Sequence, residues 1–312
     1  MNKFIKLFLN NNKIKDVLQN DPLVIVDIGA AYPSKNFYNE FKNFVKLISF
    51  DPQIEKSFQK ENFYFINNAL YNEKTKLNFY KTNNPQCSSI LVPDFNFLET
   101  FGKSEEFKII ETTEIEVDTL DNQLKNLNIN NIDFIKLDTQ GSELYILKGS
   151  SKYLGNVLGI ETEIEFKPIY QDQPLFSDID NYLRSENFEL LDLRKIYWKS
   201  GKFRNASNYK GELIWGETLY FKNLKKLKTM TETKLIKAAL LLLVYNKIDL
   251  AQEILEHTNF SFLNKYFKKT LITFPKIKGR YRMAKILNKI EKMLLYDKKS
   301  GDLIDIELKD EQ

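Results

Sequence analysis

The chain has 312 residues, 43% hydrophobic and 28% charged, with a formal net charge of +4. That is an ordinary globular composition, long enough for one catalytic domain plus an appendage. A single cysteine, Cys87, excludes an internal disulfide framework, and a single histidine, His257, excludes a Cys/His metal cluster and any histidine base within the first 256 residues.

In chain order, Phe4, Leu7, Phe8, Ile14, Val17 and Leu18 recur at helical spacing and predict one amphipathic helix over residues 2–20, an N-terminal extension spanning 1–21. The apolar run here is too short and polar for a signal peptide, and no stretch approaches the ~18 apolar residues of a membrane span. With the lone cysteine, this makes the cytoplasm the expected location. Leu23 to Ile28 is apolar without alternation until Asp27 and breaks at Gly29, as in a strand buried on both faces of a parallel sheet. Asp27 and Gly29 then lie at its carboxyl end, where open α/β sheets bind ligands. Phe37 to Phe44 reads as helix, and Val45 to Phe50 as a second strand ending at Asp51-Pro52. Gly29 and Asp51 are 22 residues apart, the spacing at which a carboxylate receives a ribose diol.

Ile54 to Gln59 predicts a short helix, and Phe63 to Asn67 a third strand closing on Asn68-Ala69. Such repeated strand–helix units argue for an α/β fold with a parallel sheet. Residues 70–119 are strand-like and turn-rich, the length of a lid or binding loop. Ile132 to Leu137 is a fourth strand ending at Asp138, followed by a helix from Ser142 that Gly149 stops. Val157 to Phe166 is a fifth, with Glu161, Glu163 and Glu165 on one face. Ser177 is expected to cap a helix reaching Ser185, and Phe188–Trp198 with Glu212–Phe221 to form an antiparallel pair.

Five segments carry a family resemblance: Val26-Asp27-Ile28-Gly29-Ala30, Ser49-Phe50-Asp51-Pro52, Cys87-Ser88-Ser89-Ile90, Val117-Asp118-Thr119-Leu120-Asp121, and the long block from Asp133 to Leu144 with Leu147-Lys148-Gly149. In this order they resemble the FkbM family of S-adenosylmethionine-dependent methyltransferases, over a domain spanning residues 22–222. The resemblance implies a Rossmann-like class I methyltransferase sheet, mostly parallel with an antiparallel terminal hairpin. It also implies S-adenosylmethionine as cofactor and O-methylation of a sugar, glycolipid or other glycan-type acceptor. One position departs from the family: Gln140 stands where a glutamate is common, which removes a charge there.

The residues assigned to the cofactor are Asp27, Gly29, Ala30, Asp51, Pro52, Asn68, Ala69 and Asp138. A loop with the one glycine, Gly29, lacks the several glycines that a pyrophosphate demands. That disfavours a nicotinamide-dependent oxidoreductase, the alternative enzyme reading; a non-catalytic adenosine-binding or interaction module is the other alternative. Ser88, Ser89 and Glu143 are assigned to the acceptor. With no histidine near, the base for a hydroxyl acceptor falls to Asp138 first, with Glu163 and Glu161 as further candidates. Clustered carboxylates leave Mg²⁺ as an alternative activator, but no metal ligands are assigned.

The C-terminal portion differs electrostatically. Residues 1–222 carry 27 Lys and Arg against 31 Asp and Glu, whereas 223–312 carry 19 against 11. Glu232–Tyr245 and Ile248–Glu256 read as a helical hairpin, which must bury its second face on the catalytic domain or on another copy in a homo-oligomer. Residues 265–292 hold ten Lys and Arg against one acid, with aromatics interleaved. This suits an anionic partner, either the inner membrane surface or a phosphate-bearing acceptor. No nucleic acid is expected, because no recognised binding module accompanies the charge.

Overall fold

The structure is a computed structural model that describes residues 3–29, 41–203 and 209–272. Two short helices come first, α1 (Lys3–Leu9) and α2 (Asn12–Asn20). The single helix expected over 2–20 is therefore broken, because the Asn11 carboxamide accepts from Ile14 N and starts a new helix. The strands and helices that follow are β1 (Leu23–Ile28), β2 (Val45–Phe50), β3 (Phe58–Lys60), β4 (Phe63–Ile66), β5 (Ala69–Leu70), β6 (Thr75–Thr82), α3 (Phe95–Thr100) and β7 (Ile109–Asp118). Next come α4 (Leu120–Asn126), β8 (Phe134–Leu137), α5 (Glu143–Lys148), α6 (Ser151–Leu154), β9 (Gly159–Glu165), α7 (Phe176–Ser185), β10 (Phe188–Trp198) and β11 (Glu212–Lys222). The chain continues through α8 (Leu224–Leu227), α9 (Glu232–Val244), α10 (Ile248–Leu255) and α11 (Leu263–Ile272).

Eight strands form the main sheet in the order β10-β11-β9-β8-β1-β2-β4-β3. From β9 to β4 all pairs are parallel, and β11 and β10 close one edge antiparallel. This is the Rossmann-like methyltransferase layout that the sequence led us to expect. The short helix expected over Ile54–Gln59 is absent: the segment turns and enters the edge strand β3, antiparallel to β4. Ser177 does not cap α7. It lies inside the helix, and the Asp178 carboxylate instead accepts from Leu175 N, ahead of the first turn. Of the helix expected over Phe37–Phe44, only 41–44 falls within the described residues, and there Lys42–Phe44 makes a single turn.

The strand-like segment 70–119 builds a second, three-stranded sheet, β5-β7-β6. Each face of the main sheet is covered. On one, Val26, Ile48, Ile135 and Ile160 pack under α4–α7. On the other, Leu23, Ile25, Leu47, Phe134 and Phe221 pack under α1, α2 and the C-terminal helices. Every residue of α9 from Leu235 to Leu243 is buried, as expected of a helix that is apolar nearly all round. The hairpin α9–α10 is thus docked on the sheet. The two lysines of α9 reach the base of β8: Lys237 Nζ lies 3.0 Å from Asp133 Oδ2 and 2.7 Å from Asp21 Oδ1, and Lys234 Nζ lies 2.6 Å from Asp133 Oδ1.

Candidate active site

Side chains alternate along a strand, so the face that carries Leu23 and Ile25 next carries Asp27. Register places Ser49 and Lys136 on either side of Asp27, and Glu161 beyond Lys136. The same face therefore changes from apolar to charged part-way along the strands. One step further lie Glu163 and Glu217, paired across β9 and β11, then Glu165 and Trp215. Beyond the helices this polar end opens into a cavity of about 710 Å³, within the range of small-ligand sites.

One end of the cavity is built by the turns after β1, β2 and β4. Gly29 N donates to Phe50 O at 2.9 Å, so the turn after β1 sits against the end of β2, as the 22-residue spacing implied. Gly29 has φ +86°, and a Cβ there would stand 1.8 Å from the Asp138 carbonyl oxygen; no other residue fits that crossing. Asp51 lines the cavity with one oxygen accepting from Gln53 N at 2.7 Å; burial raises its carboxyl above the usual value. Pro52, Asn68 and Ala69 line the same end, and Asn68 Oδ1 is buried without a hydrogen-bond partner among the described residues. Asp27 lies below the cavity, 1% exposed, with both oxygens likewise unpartnered; burial pushes it up to about 6, against the opposing charge of Lys136. Ala30 lies outside the described residues.

The other end is acidic. Asp138 is exposed to the cavity just past β8. The Gln140 amide donates to Asp138 Oδ1 at 3.1 Å and to Glu163 Oε2 at 2.9 Å, joining the two carboxyls. The Tyr170 hydroxyl lies within reach of Gln140 Oε1 (3.1 Å) and holds the amide in that orientation. Burial, then the charges of Asp138, Glu165 and Glu143, push Glu163 well above the ordinary carboxylate range. Glu165 is 2% exposed and raised in the same direction by burial and by Glu143.

Glu161 lines the cavity but is engaged elsewhere: it accepts from the Tyr245 hydroxyl and lies 4.0 Å from Lys136. Lys136 itself stays raised, because Asp27, Glu161 and Asp138 outweigh the burial that alone would lower it.

Ser88 and Ser89 line the cavity, yet their hydroxyls are used to fold it. Ser88 Oγ accepts from Thr82 N, and Ser89 Oγ donates to Gln140 O at 2.7 Å. Glu143 does not line the cavity. It is 1% exposed and accepts from Thr139 N and Oγ1 at 2.8 and 2.9 Å, pinning the turn after β8, and burial pushes it up to about 7. Residues unnoticed in the sequence also contribute: Lys136, Glu217, Trp198 and Trp215 line the cavity. The lysine was legible as a lone charge inside an apolar strand; the others were not, since the antiparallel hairpin alternates without marking which side faces the site. Among the described residues no group of three or more acids, His or Cys is placed to hold a metal ion, and no helix is long and apolar enough to cross a membrane.

Residues 27–190 match the family model of the methyltransferase FkbM domain. No curated protein matches the chain. Among solved structures, an uncharacterized protein from Listeria monocytogenes serotype 4b is 11% identical, covering 92% of this chain and 97% of that one at a TM-score of 0.30. The B. subtilis tRNA methyltransferase TrmK is 10% identical, with 92% and 98% covered at a TM-score of 0.27. Neither likeness is close enough to bear on function.

Proposed function

The chain belongs to the FkbM methyltransferase family, and on that premise we propose that it methylates a hydroxyl of a sugar, glycolipid or other glycan-type acceptor with S-adenosylmethionine. The observation that carries this reading is the convergence, in one cavity at the carboxyl ends of the parallel strands, of Gly29, Asp51 and Asn68 at one end and the Asp138–Gln140–Glu163 bridge at the other.

The residues at the first end fit the cofactor. Asp51 keeps one oxygen free of the Gln53 amide for a ribose diol, and the unpartnered Asn68 Oδ1 offers a buried acceptor that is costly to leave unmade. Bound there, S-adenosylmethionine supplies a methyl group on a sulfonium. Asp138 is the carboxylate open to the cavity and takes the acceptor's hydroxyl proton as the carbon–oxygen bond forms. Gln140 fixes its orientation. A neutral amide, in place of the glutamate common in the family, lets Asp138 and Glu163 approach without a further negative charge between them. Glu161 acts at one remove, holding Lys136 beneath the site. Much of the acceleration in such a transfer comes from placement of the acceptor.

The test is calorimetric. Wild-type protein is expected to bind S-adenosylmethionine and S-adenosylhomocysteine but not NAD, and a folded Asp51→Ala variant to lose at least tenfold in affinity. NAD binding, or unchanged affinity in Asp51→Ala, would overturn the assignment.

A further inference from the structure

We propose that the cross-strand pair Glu165 and Trp215 forms the acceptor subsite and takes a neutral pyranose ring, stacked on the indole with its hydroxyls against the carboxyl. This rests on the methyl-transfer reading above and deepens it. The two residues are register partners on β9 and β11, stand on one face of the sheet and both line the cavity. They lie two residues beyond Glu163 and Glu217, about 7 Å at ~3.3 Å per residue, so a ring held there extends away from the Asp138–Glu163 pair.

Glu165 Oε2 is buried with no hydrogen bond of ordinary geometry among the described residues; the Gln173 amide, its Nε2 equally unpartnered, is the donor beside it, and a carboxyl so loosely satisfied gains from a better-placed donor. The two tryptophans of the chain are in contrasting positions. Trp198 is packed among Phe97, Phe101 and Phe107, with Lys103 Nζ 5.5 Å from its ring centre. Trp215 is half-buried at the cavity wall, packed against the cluster of Leu98, Phe101, Tyr170 and Trp198, and its indole makes no hydrogen bond or aromatic ring pair among the described residues. A half-exposed indole beside a buried carboxyl suits a ring that is apolar on its C–H face and polar at its edge. The charge around it selects further. Even with Glu163 and Glu165 neutral, Asp51, Glu106, Asp138, Glu161 and Glu217 share the cavity with Lys103 and Lys136, an excess of acids that repels a carboxylate- or phosphate-bearing ring.

The test uses the full chain, with the methyl glycosides of a set of neutral hexoses, and the corresponding uronic acids and amino sugars, as probes. In Trp198→Phe the remaining tryptophan reports on the subsite, and a neutral glycoside is expected to change its emission saturably. In methyl-transfer assays on a wild-type background, Trp215→Leu and Glu165→Ala are expected to raise KM for that glycoside at least tenfold with kcat within threefold. Trp215→Phe should restore part of the loss, and calorimetric affinity for S-adenosylmethionine should be unchanged. The inference is overturned if every neutral glycoside is neither bound nor methylated, if a uronic acid or amino sugar is preferred, or if the variants keep the wild-type KM. Loss of S-adenosylmethionine binding by the wild type would instead strike the methyl-transfer reading, with the fluorescence titration still deciding the subsite.

Discussion

Removing Asp133 is expected to destabilise the protein far more than removing the lysine buried against it. Asp133 is 0% exposed and receives three donors: Val24 N at 2.8 Å, Lys234 Nζ at 2.6 Å and Lys237 Nζ at 3.0 Å. Asp133→Ala strands Lys237, also 0% exposed, with Asp21 alone, a residue whose side chain is 56% exposed. Breaking a buried ion pair from one side costs about 3–5 kcal/mol, and the orphaned Val24 amide adds ~1 kcal/mol; together they come to about 5 kcal/mol. Lys237→Met leaves Asp133 with Lys234 and the Val24 amide and keeps an apolar stem in the core, so its cost is about 1 kcal/mol or less. Equilibrium unfolding in guanidinium chloride measures both. Two results would refute the reasoning: Asp133→Ala within 1 kcal/mol of the wild type, or Lys237→Met as costly as Asp133→Ala.

Asp138→Asn is expected to lower kcat at least a hundredfold, the scale of general-base catalysis, with S-adenosylmethionine affinity changed less than threefold; single-turnover rates at saturating cofactor check it. In Gly29→Ala the new methyl meets the Asp138 carbonyl at 1.8 Å with φ at +86°, so a loss of more than ~2 kcal/mol is expected, read as a fall in melting temperature. Glu143, raised to about 7 from the ordinary 4.5, binds more protons folded than unfolded across that window. Stability therefore falls as pH rises from about 4.5 to about 7 and levels above it. Glu143→Gln, which keeps an acceptor for Thr139, should flatten that decline, and urea midpoints between pH 5 and 8 would show no flattening if the carboxyl were ordinary.

The parallel core was legible because β1, β2 and β8 are largely apolar runs broken by Gly29, Asp51 and Asp138, the pattern of strands buried on both faces. The helix over 2–20 was misread because helical spacing continues across Asn11, and only the carboxamide's bond to Ile14 N reveals a restart. Ile54–Gln59 has the composition of a helix, and its place at the sheet edge beside β4 overrode that preference. Glu161 and Glu163 share a face, so periodicity could not separate them. Their partners do, Lys136 and Tyr245 for one and Gln140 for the other. Lys237, a lone charge in the apolar run of α9, was the overlooked sign that this helix meets a buried acid.

The first and last described helices meet over one face of the sheet: the Phe4 ring lies 5.6 Å from that of Phe267, edge to face. During synthesis, then, α1 and α2 are made first but cannot close their side of the molecule until α9–α11 arrive. Once β11 is made, the ribosome takes on the order of 2–7 s to reach Leu255 at about 5–20 residues per second. Through that interval Ile25, Phe134 and Phe221 have no α9 above them, and exposed apolar surface of this kind favours aggregation. Synonymous slow codons between Asn223 and Leu255 should lengthen the exposure and lower the soluble yield without altering a single side chain.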